Sequence, residues 1–368
     1  MINVFWGPTE GFKDILPKNI RYKSLSKLIQ ELDEKNKEYR FVTDKMKPEV
    51  RKKRSINNLV VFSEEYSRLS DSGLYGFLSI IKEVKIKNLY FQNPPEIILN
   101  QLNSFYQKIN IKVYEYKKIT ANNIDVFNQS FEKTILGQTN VKNKLMTSFY
   151  KLSEGYNKEK PLVMLFYGPS GVGKTETAKF ISNLVGEKLF RRQFSMYQNE
   201  SFSNYVFGSK HTSSSLAQDL LNRESNVILF DEFDKANNIF YSAFYEMFDE
   251  GSFSDKNYKV NLKNSIIICT SNFLDLAEIR NAVGDAIYNR FDAFIEYRNL
   301  SEIYVKELIG KKFIELFARL GEMDKQLLNY KECLDVLLKN ANRLRNSREI
   351  ERVVNDFVFT KLVSEKYK

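Results

Sequence analysis

Short unbroken apolar runs alternate with helix-length stretches of mixed character along most of the chain. In the first third the patterned segments are Ile2–Trp6, Leu25–Lys35, Leu59–Phe62, Leu74–Val84, Asn88–Phe91, Ile97–Tyr106 and Ile111–Tyr116. This alternation predicts a small parallel α/β domain. Pro94-Pro95 suits a helix start, where a missing amide hydrogen costs little. A second alternation starts at Phe131, with apolar runs at Leu162–Tyr167, Leu189–Phe194, Val227–Phe230, Ile266–Thr270 and Phe294–Tyr297. Runs of this kind mark strands covered on both faces. From Ser301 onward the spacing of Ile303, Leu308, Phe313, Leu316 and Phe317, then of Leu334, Val336 and Leu337, is helical. The expected fold class is therefore α/β: a separate α/β domain over 1–120, a polar linker over 121–130, a larger sheet subdomain over 131–299 and a small helical subdomain over 300–368.

The chemistry begins where the run Leu162–Tyr167 meets Gly168-Pro169-Ser170-Gly171-Val172-Gly173-Lys174-Thr175 and a helical pattern opens at Glu176. Strand, glycine-rich loop and helix in this order fit the P-loop template at every fixed position. The glycines let backbone amides point inward at phosphates, and the helix start adds positive potential there. Lys174 is expected to reach the outer phosphates of ATP, and Thr175 to ligate Mg²⁺. A second buried run, Val227–Phe230, ends abruptly in Asp231-Glu232. The carboxyl ends of such strands are where ligands bind, so Asp231 is expected at the Mg²⁺ hydration shell and Glu232 at the attacking water. A third, Ile266–Cys269, ends in Thr270-Ser271-Asn272, whose Asn272 amide can orient that water.

Charge and length change the picture less. The 368 residues carry a formal net charge of +10, and residues 1–130 hold 22 Lys and Arg against 15 Asp and Glu. The run Arg51-Lys52-Lys53-Arg54 is a candidate contact for nucleic-acid phosphates, or a solvated loop. No apolar run approaches the length that spans a bilayer, which suggests a soluble, cytoplasmic protein without a membrane partner. Cys269 and Cys333 lack the paired spacing of a disulfide or zinc site. His211, the only histidine, has no partner in a metal motif and is expected as a solvated loop residue.

In this order the segments resemble the AAA+ module of Clp-type unfoldases and disaggregases, particularly their second ATPase ring, from Ile135 to about Val354. Ile135-Leu136-Gly137-Gln138 resembles the family motif beside the adenine. Residues 168–176, through Glu176, and Asp231-Glu232-Phe233-Asp234-Lys235-Ala236 resemble its two Walker motifs, and Thr270-Ser271-Asn272 its sensor 1. Tyr288-Asn289-Arg290-Phe291-Asp292 resembles the segment bearing an arginine finger, which implies that Arg290 serves a neighbouring subunit's ATP. Asn346-Ser347-Arg348 stands where the family has Gly-Ala-Arg, so Arg348 is implied as sensor 2. The resemblance implies an ATP hydrolase using ATP and Mg²⁺, with a helical lid on its sheet, working as a homo-oligomeric, hexameric ring that remodels a protein substrate or partner complex. The chain departs from the family between the second strand and the acidic strand, where Tyr205–Ser215 replaces a Gly-aromatic-Val-Gly gripping loop. It also lacks a protease-docking insertion between Asn272 and Asn289. These departures keep open an ATP-controlled oligomeric switch, as in bacterial defence against phage, and a nucleic-acid motor or loader. Tyr205 and Phe207 are either substitutes for the gripping aromatic or core residues.

Overall fold

The computed structural model describes residues 1–39, 55–196, 200–236 and 238–367, so the basic run at 51–54 lies outside the described residues. The chain divides into two compact units, each discontinuous in sequence. One comprises 1–116, 197–224 and 250–263, and the other comprises 117–196, 225–249 and 264–368.

The first unit holds β1 (Ile2–Trp6), β2 (Lys23–Ser24), β3 (Ser55–Val61), β4 (Lys85–Gln92) and β5 (Asn110–Val113) in one parallel sheet of order β2-β3-β4-β1-β5. Val4, Leu59, Leu89 and Phe91 of its strands bury against Leu28, Phe77, Ile81, Ile98 and Leu102 of the covering helices. Pro95 is the N-cap of the helix Glu96–Phe105, where the sequence places a helix start.

The second unit holds β6 (Leu162–Tyr167), β7 (Phe190–Gln193) and β8 (Val227–Asp231), followed in sequence by four further strands. The next two, the antiparallel hairpin β9 (Ser252–Ser254) and β10 (Lys259–Asn261), fall in the first unit. With β11 (Ile266–Thr270) and β12 (Ala293–Glu296), the parallel order is β12-β6-β11-β8-β7. Every residue of β6, β8 and β11 is buried, including the polar ends Asp231 and Thr270, and the apolar runs that lead to them mark strands covered on both faces. The helices Glu302–Arg319, Tyr330–Lys339 and Ser347–Lys366 gather Ile309, Phe313, Leu337, Val354 and Val358 into a separate core, the expected helical lid.

Three expectations need correction. Residues 121–130 are not a linker but part of the helix Ala121–Thr134. Thr120 and Asn123 form a capping box at its start, and the spacing of Ile124, Phe127 and Phe131 gives it an apolar face. The sheet subdomain is not continuous over 131–299, because 197–224 and 250–263 pack into the first unit. His211 is not solvated: it is 4% exposed, its Nε2 donates to the Leu69 carbonyl at 2.8 Å, and its Nδ1 lies 3.3 Å from the Asp71 carboxylate.

Phe127 is fully buried among Phe131, Phe149 and Phe180. Truncating a buried Phe costs about 3–5 kcal/mol. Phe127→Ala is therefore expected to lower the second unit's unfolding free energy by that amount, read as a lower urea midpoint, and an unchanged midpoint would mean that this helix is dispensable.

Candidate functional site

At the end of β6 the chain turns through Gly168–Gly173 into the helix Lys174–Val185. Gly168, Gly171 and Gly173 have φ of +126°, +74° and +108°. A Cβ on Gly168 would lie 2.1 Å from the Tyr297 carbonyl oxygen, and one on Gly171 would lie 2.9 Å from Asn346 Oδ1. Both space and backbone therefore demand glycine. Val172 is buried and anchors the loop, Pro169 is half-buried, and Ser170 is exposed. Ile135 is buried with Cγ2 3.4 Å from where a Gly173 Cβ would be, so it lines the far side of the loop. Gln138 fixes that segment by donating to the Arg298 carbonyl at 2.8 Å.

Lys174 is buried, and its ammonium donates to the carbonyls of Gly168 (2.6 Å) and Pro169 (2.8 Å) and to Asn272 Oδ1 (3.1 Å). Burial pushes its pKa down to about 8, against the opposing pull of Asp231 and Asp234. The partners of this cation are mostly neutral oxygens, so it remains able to take a phosphate charge. Asp231, 7% exposed, accepts from Arg191 at 2.5 Å and from Thr175 Oγ1 at 3.5 Å on one oxygen, and from Thr270 Oγ1 on the other. Glu232 follows in the left-handed region at φ +54°. Its amide donates to Thr270 Oγ1 at 2.9 Å, and its carboxylate accepts from Gln193 Nε2 at 3.1 Å. A non-glycine residue held there costs about 1–3 kcal/mol, a strain typical of functional positions.

The lid contributes directly to the loop. Ser347 donates its amide to the Gly171 carbonyl at 2.8 Å, and Arg348 donates to Ser170 Oγ at 3.2 Å. Asn346 caps the helix Ser347–Lys366 by accepting from the Glu349 amide at 3.0 Å, which gives the unusual Asn-Ser pair a structural purpose. Thus Lys174, Thr175, Asp231, Glu232, Asn272 and Arg348 converge on the loop. Two candidates do not. Glu176 is exposed and pairs with Lys179, while Arg290 is held by Asp249 (2.8 Å) and the Ala286 carbonyl (2.7 Å) and lies over the Tyr245 ring. Sequence reasoning missed Arg191 and Gln193, whose contacts come from the pairing of β7 with β8, where Gln193 aligns with Asp231. It assigned no role to Asp234, whose side chain is 1% exposed and 3.2 Å from the Lys235 ammonium.

This arrangement fits a nucleoside triphosphate with a divalent cation. The glycines keep the cradle open, Lys174 supplies a buried positive charge, and Thr175 and Asp231 place two hard oxygens side by side.

Residues 159–322 match the family model described as AAA domain (Cdc48 subfamily). The chain is 34% identical over 164 residues to the chaperone protein ClpB of Chlamydia pneumoniae, covering 41% of this chain and 19% of that protein. It is 26% identical over 255 residues to ClpB of Malacoplasma penetrans, covering 63% and 36%, and 27% identical over 221 residues to the ATP-dependent Clp protease ATP-binding subunit ClpL of Staphylococcus aureus, covering 54% and 32%. The matched part thus spans about a fifth to a third of these relatives' length. Among solved structures, a closed-state cryo-EM reconstruction of Hsp104 with ATPyS and FITC casein shares the fold at a TM-score of 0.57 and 14% identity, over 100% of this chain and 88% of that one.

Burial pushes the Lys174 pKa down to about 8, and negative phosphates beside it raise it again, so binding is expected to take up a proton. Calorimetry of ATP binding near pH 8 in buffers of different ionisation enthalpy is expected to show net proton uptake. Lys174→Arg, permanently protonated, is expected to abolish that uptake. Equal heats in both buffers for the unmodified protein would overturn the assignment.

Proposed function

We propose that the chain, which carries a Clp-type AAA+ ATPase module, hydrolyses ATP within a homo-oligomeric ring and uses the energy to remodel a protein substrate or partner complex. The observation that carries this reading is the pair Asp231-Glu232 at the end of β8, with Glu232 strained, held at its amide by Thr270 and at its carboxylate by Gln193. Mg²⁺, when bound, neutralises the charge on the terminal phosphates. Thr175 and Asp231 are the residues to hold it, Lys174 pairs with the outer phosphate oxygens, and Ile135 packs beside the base. Asn272 and Glu232 orient and deprotonate the attacking water. Arg348, reaching Ser170 from the lid, ties lid position to the state of the loop. Arg290 is not at its own chain's loop, and its role is to complete the site of the neighbouring subunit.

The reading of the ATP cycle as a switch acting on an effector draws support from one observation. Tyr205 is buried, with its hydroxyl on Asp219 at 2.5 Å in the helix Glu200–Phe207, so it is not displayed for gripping a polypeptide.

An arginine finger is worth about 10³–10⁵ in rate, or roughly 4–7 kcal/mol of barrier. Arg290→Ala is thus expected to bind ATP and lose nearly all turnover in a steady-state ATPase assay, and near-normal turnover would end the proposed role. Glu232→Gln is expected to bind ATP, hydrolyse it very slowly and accumulate as an assembled ring in mass photometry. Full activity in that variant would place the base elsewhere. If the ring captures denatured polypeptide, remodelling is supported; if it assembles but captures none, the switch reading takes over.

A further inference from the structure

We infer that the first unit is the output end of this ATPase: its parallel sheet is clamped onto residues 200–224 and 250–263, so that the ATP cycle moves the sheet as a body instead of driving a free gripping loop. The inference rests on the ATP-hydrolase reading above and adds where the motion goes.

The clamp is centred on the crevice between β1 and β4. The helix after β1, Thr9–Ile15, packs on the face carrying Phe5 and Val60, and the helix after β4, Glu96–Phe105, on the opposite face with Val4 and Leu59, so the two loops leave to opposite sides of the sheet. In open parallel sheets that crevice is where ligands bind. Here it holds Asn222. Gln92 and Asn93, both fully buried, donate to Asn222 Oδ1 at 3.2 and 3.0 Å, and Asn222 Nδ2 donates to Ser63 Oγ at 3.3 Å. The same two amides grip the β1 loop, Gln92 donating to the Gly7 carbonyl at 3.0 Å and Asn93 at 2.9 Å, while the Gly7 amide donates back to Asn93 Oδ1 at 2.8 Å. The carboxamide of Asn222 thus takes the position of a ligand.

Further ties surround it. His211 is buried against Leu69 and Asp71. Asn257, in the turn joining β9 and β10, accepts from the Glu96 amide at 2.8 Å. Arg223 stacks over Tyr116 at 4.0 Å and donates to the Asn261 carbonyl at 3.1 Å. These contacts bring polar groups from both inserted segments onto the sheet's loops, and buried polar groups are costly to separate from their partners.

Connectivity supplies the coupling. Residues 197–224 begin four residues after Gln193, which holds Glu232, and lead into β8, which ends in Asp231-Glu232. Residues 250–263 begin directly after Asp249, which holds Arg290, and lead into β11, which ends at Thr270. Each clamped segment is therefore continuous with strands or side chains of the ATP site, and a shift at either can reach the sheet through the backbone.

The test is hydrogen–deuterium exchange on the full chain as Glu232→Gln, with and without ATP and Mg²⁺. Peptides spanning 200–224 and 250–263 are expected to change protection together with those spanning 7–9 and 93–96, by about fivefold or more, the lower end of measured coupling between sites. Adding Asn222→Leu is expected to abolish the change at 7–9 and 93–96 alone. Asn222→Leu by itself is expected to leave ATP binding and steady-state turnover within about twofold, because the residue lies outside the ATP site. Should that variant misfold, Asn222→Ala, which removes the carboxamide that accepts from Gln92 and Asn93, serves the same comparison. The inference is overturned if 200–224 responds to ATP while 7–9 and 93–96 do not, or if Asn222→Leu leaves the joint response intact. ATP binding, read in the same samples, separates this outcome from failure of the ATP-hydrolase reading: no binding sinks that reading, whereas binding without a joint response sinks only the clamp.

Discussion

A carboxylate buried at the end of a parallel strand has to be met by hydrogen bonds or charge, and Asp231 is where this protein satisfies that demand. Its partners arrive from three directions: Thr175 from the first turn after the glycine loop, Arg191 from β7 and Thr270 from the end of β11. Those three can meet only because the strand order places β8 between β11 and β7, with β6 on the other side of β11. The same Thr270 hydroxyl that donates to Asp231 accepts from the Glu232 amide, so one side chain both satisfies the buried acid and fixes the strained residue beside it. Sheet topology, loop and candidate base thereby share one polar network, and such networks are worth more intact than in parts.

What could be read from the sequence was local. The loop glycines, Lys174 and Thr175 sit within one stretch of eight residues, and their geometry follows from short-range sterics. The strand ends at Asp231 and Asn272 were legible because apolar runs stop there abruptly. Arg191 and Gln193 were not legible: their value comes from lying in register with β8, and nothing in β7 alone marks it. The helix over 121–134 was masked by its polar exposed face, which outweighed the spacing of Phe127 and Phe131 in a composition-based reading. His211 was misread for a related reason. Its partners, Leu69 and Asp71, are some 140 positions away, and a lone histidine has no local pattern that reveals burial.

The discontinuity of the first unit belongs to the same class of hidden information. Residues 197–224 and 250–263 have ordinary amphipathic composition, and their neighbours in sequence belong to the ATPase sheet. Long-range contacts such as those of Asn222 with Gln92 and Asn93, of His211 with Leu69, and of Asn257 with the Glu96 backbone assign them to the first unit. Where a family resemblance predicts a free loop, a chain can keep the loop's position in sequence and still spend its side chains on a different partner.

Arg290 shows how magnitudes decide between roles that geometry leaves side by side. Within its own chain it has an ion pair with Asp249, a carbonyl partner in Ala286 and the face of Tyr245. The guanidinium is 27% and the carboxylate 45% exposed. A partly solvated ion pair of this kind contributes up to about 1 kcal/mol, and a cation–π contact at an exposed site about 0.5–1 kcal/mol. Transferring the guanidinium to a terminal phosphate in a neighbouring site is worth roughly 4–7 kcal/mol in the transition state. The local contacts thus hold the side chain in a defined place at a modest energy. On these magnitudes the contacts seen within the chain are compatible with the role proposed for Arg290 in trans, because they are worth less than that role would add to turnover.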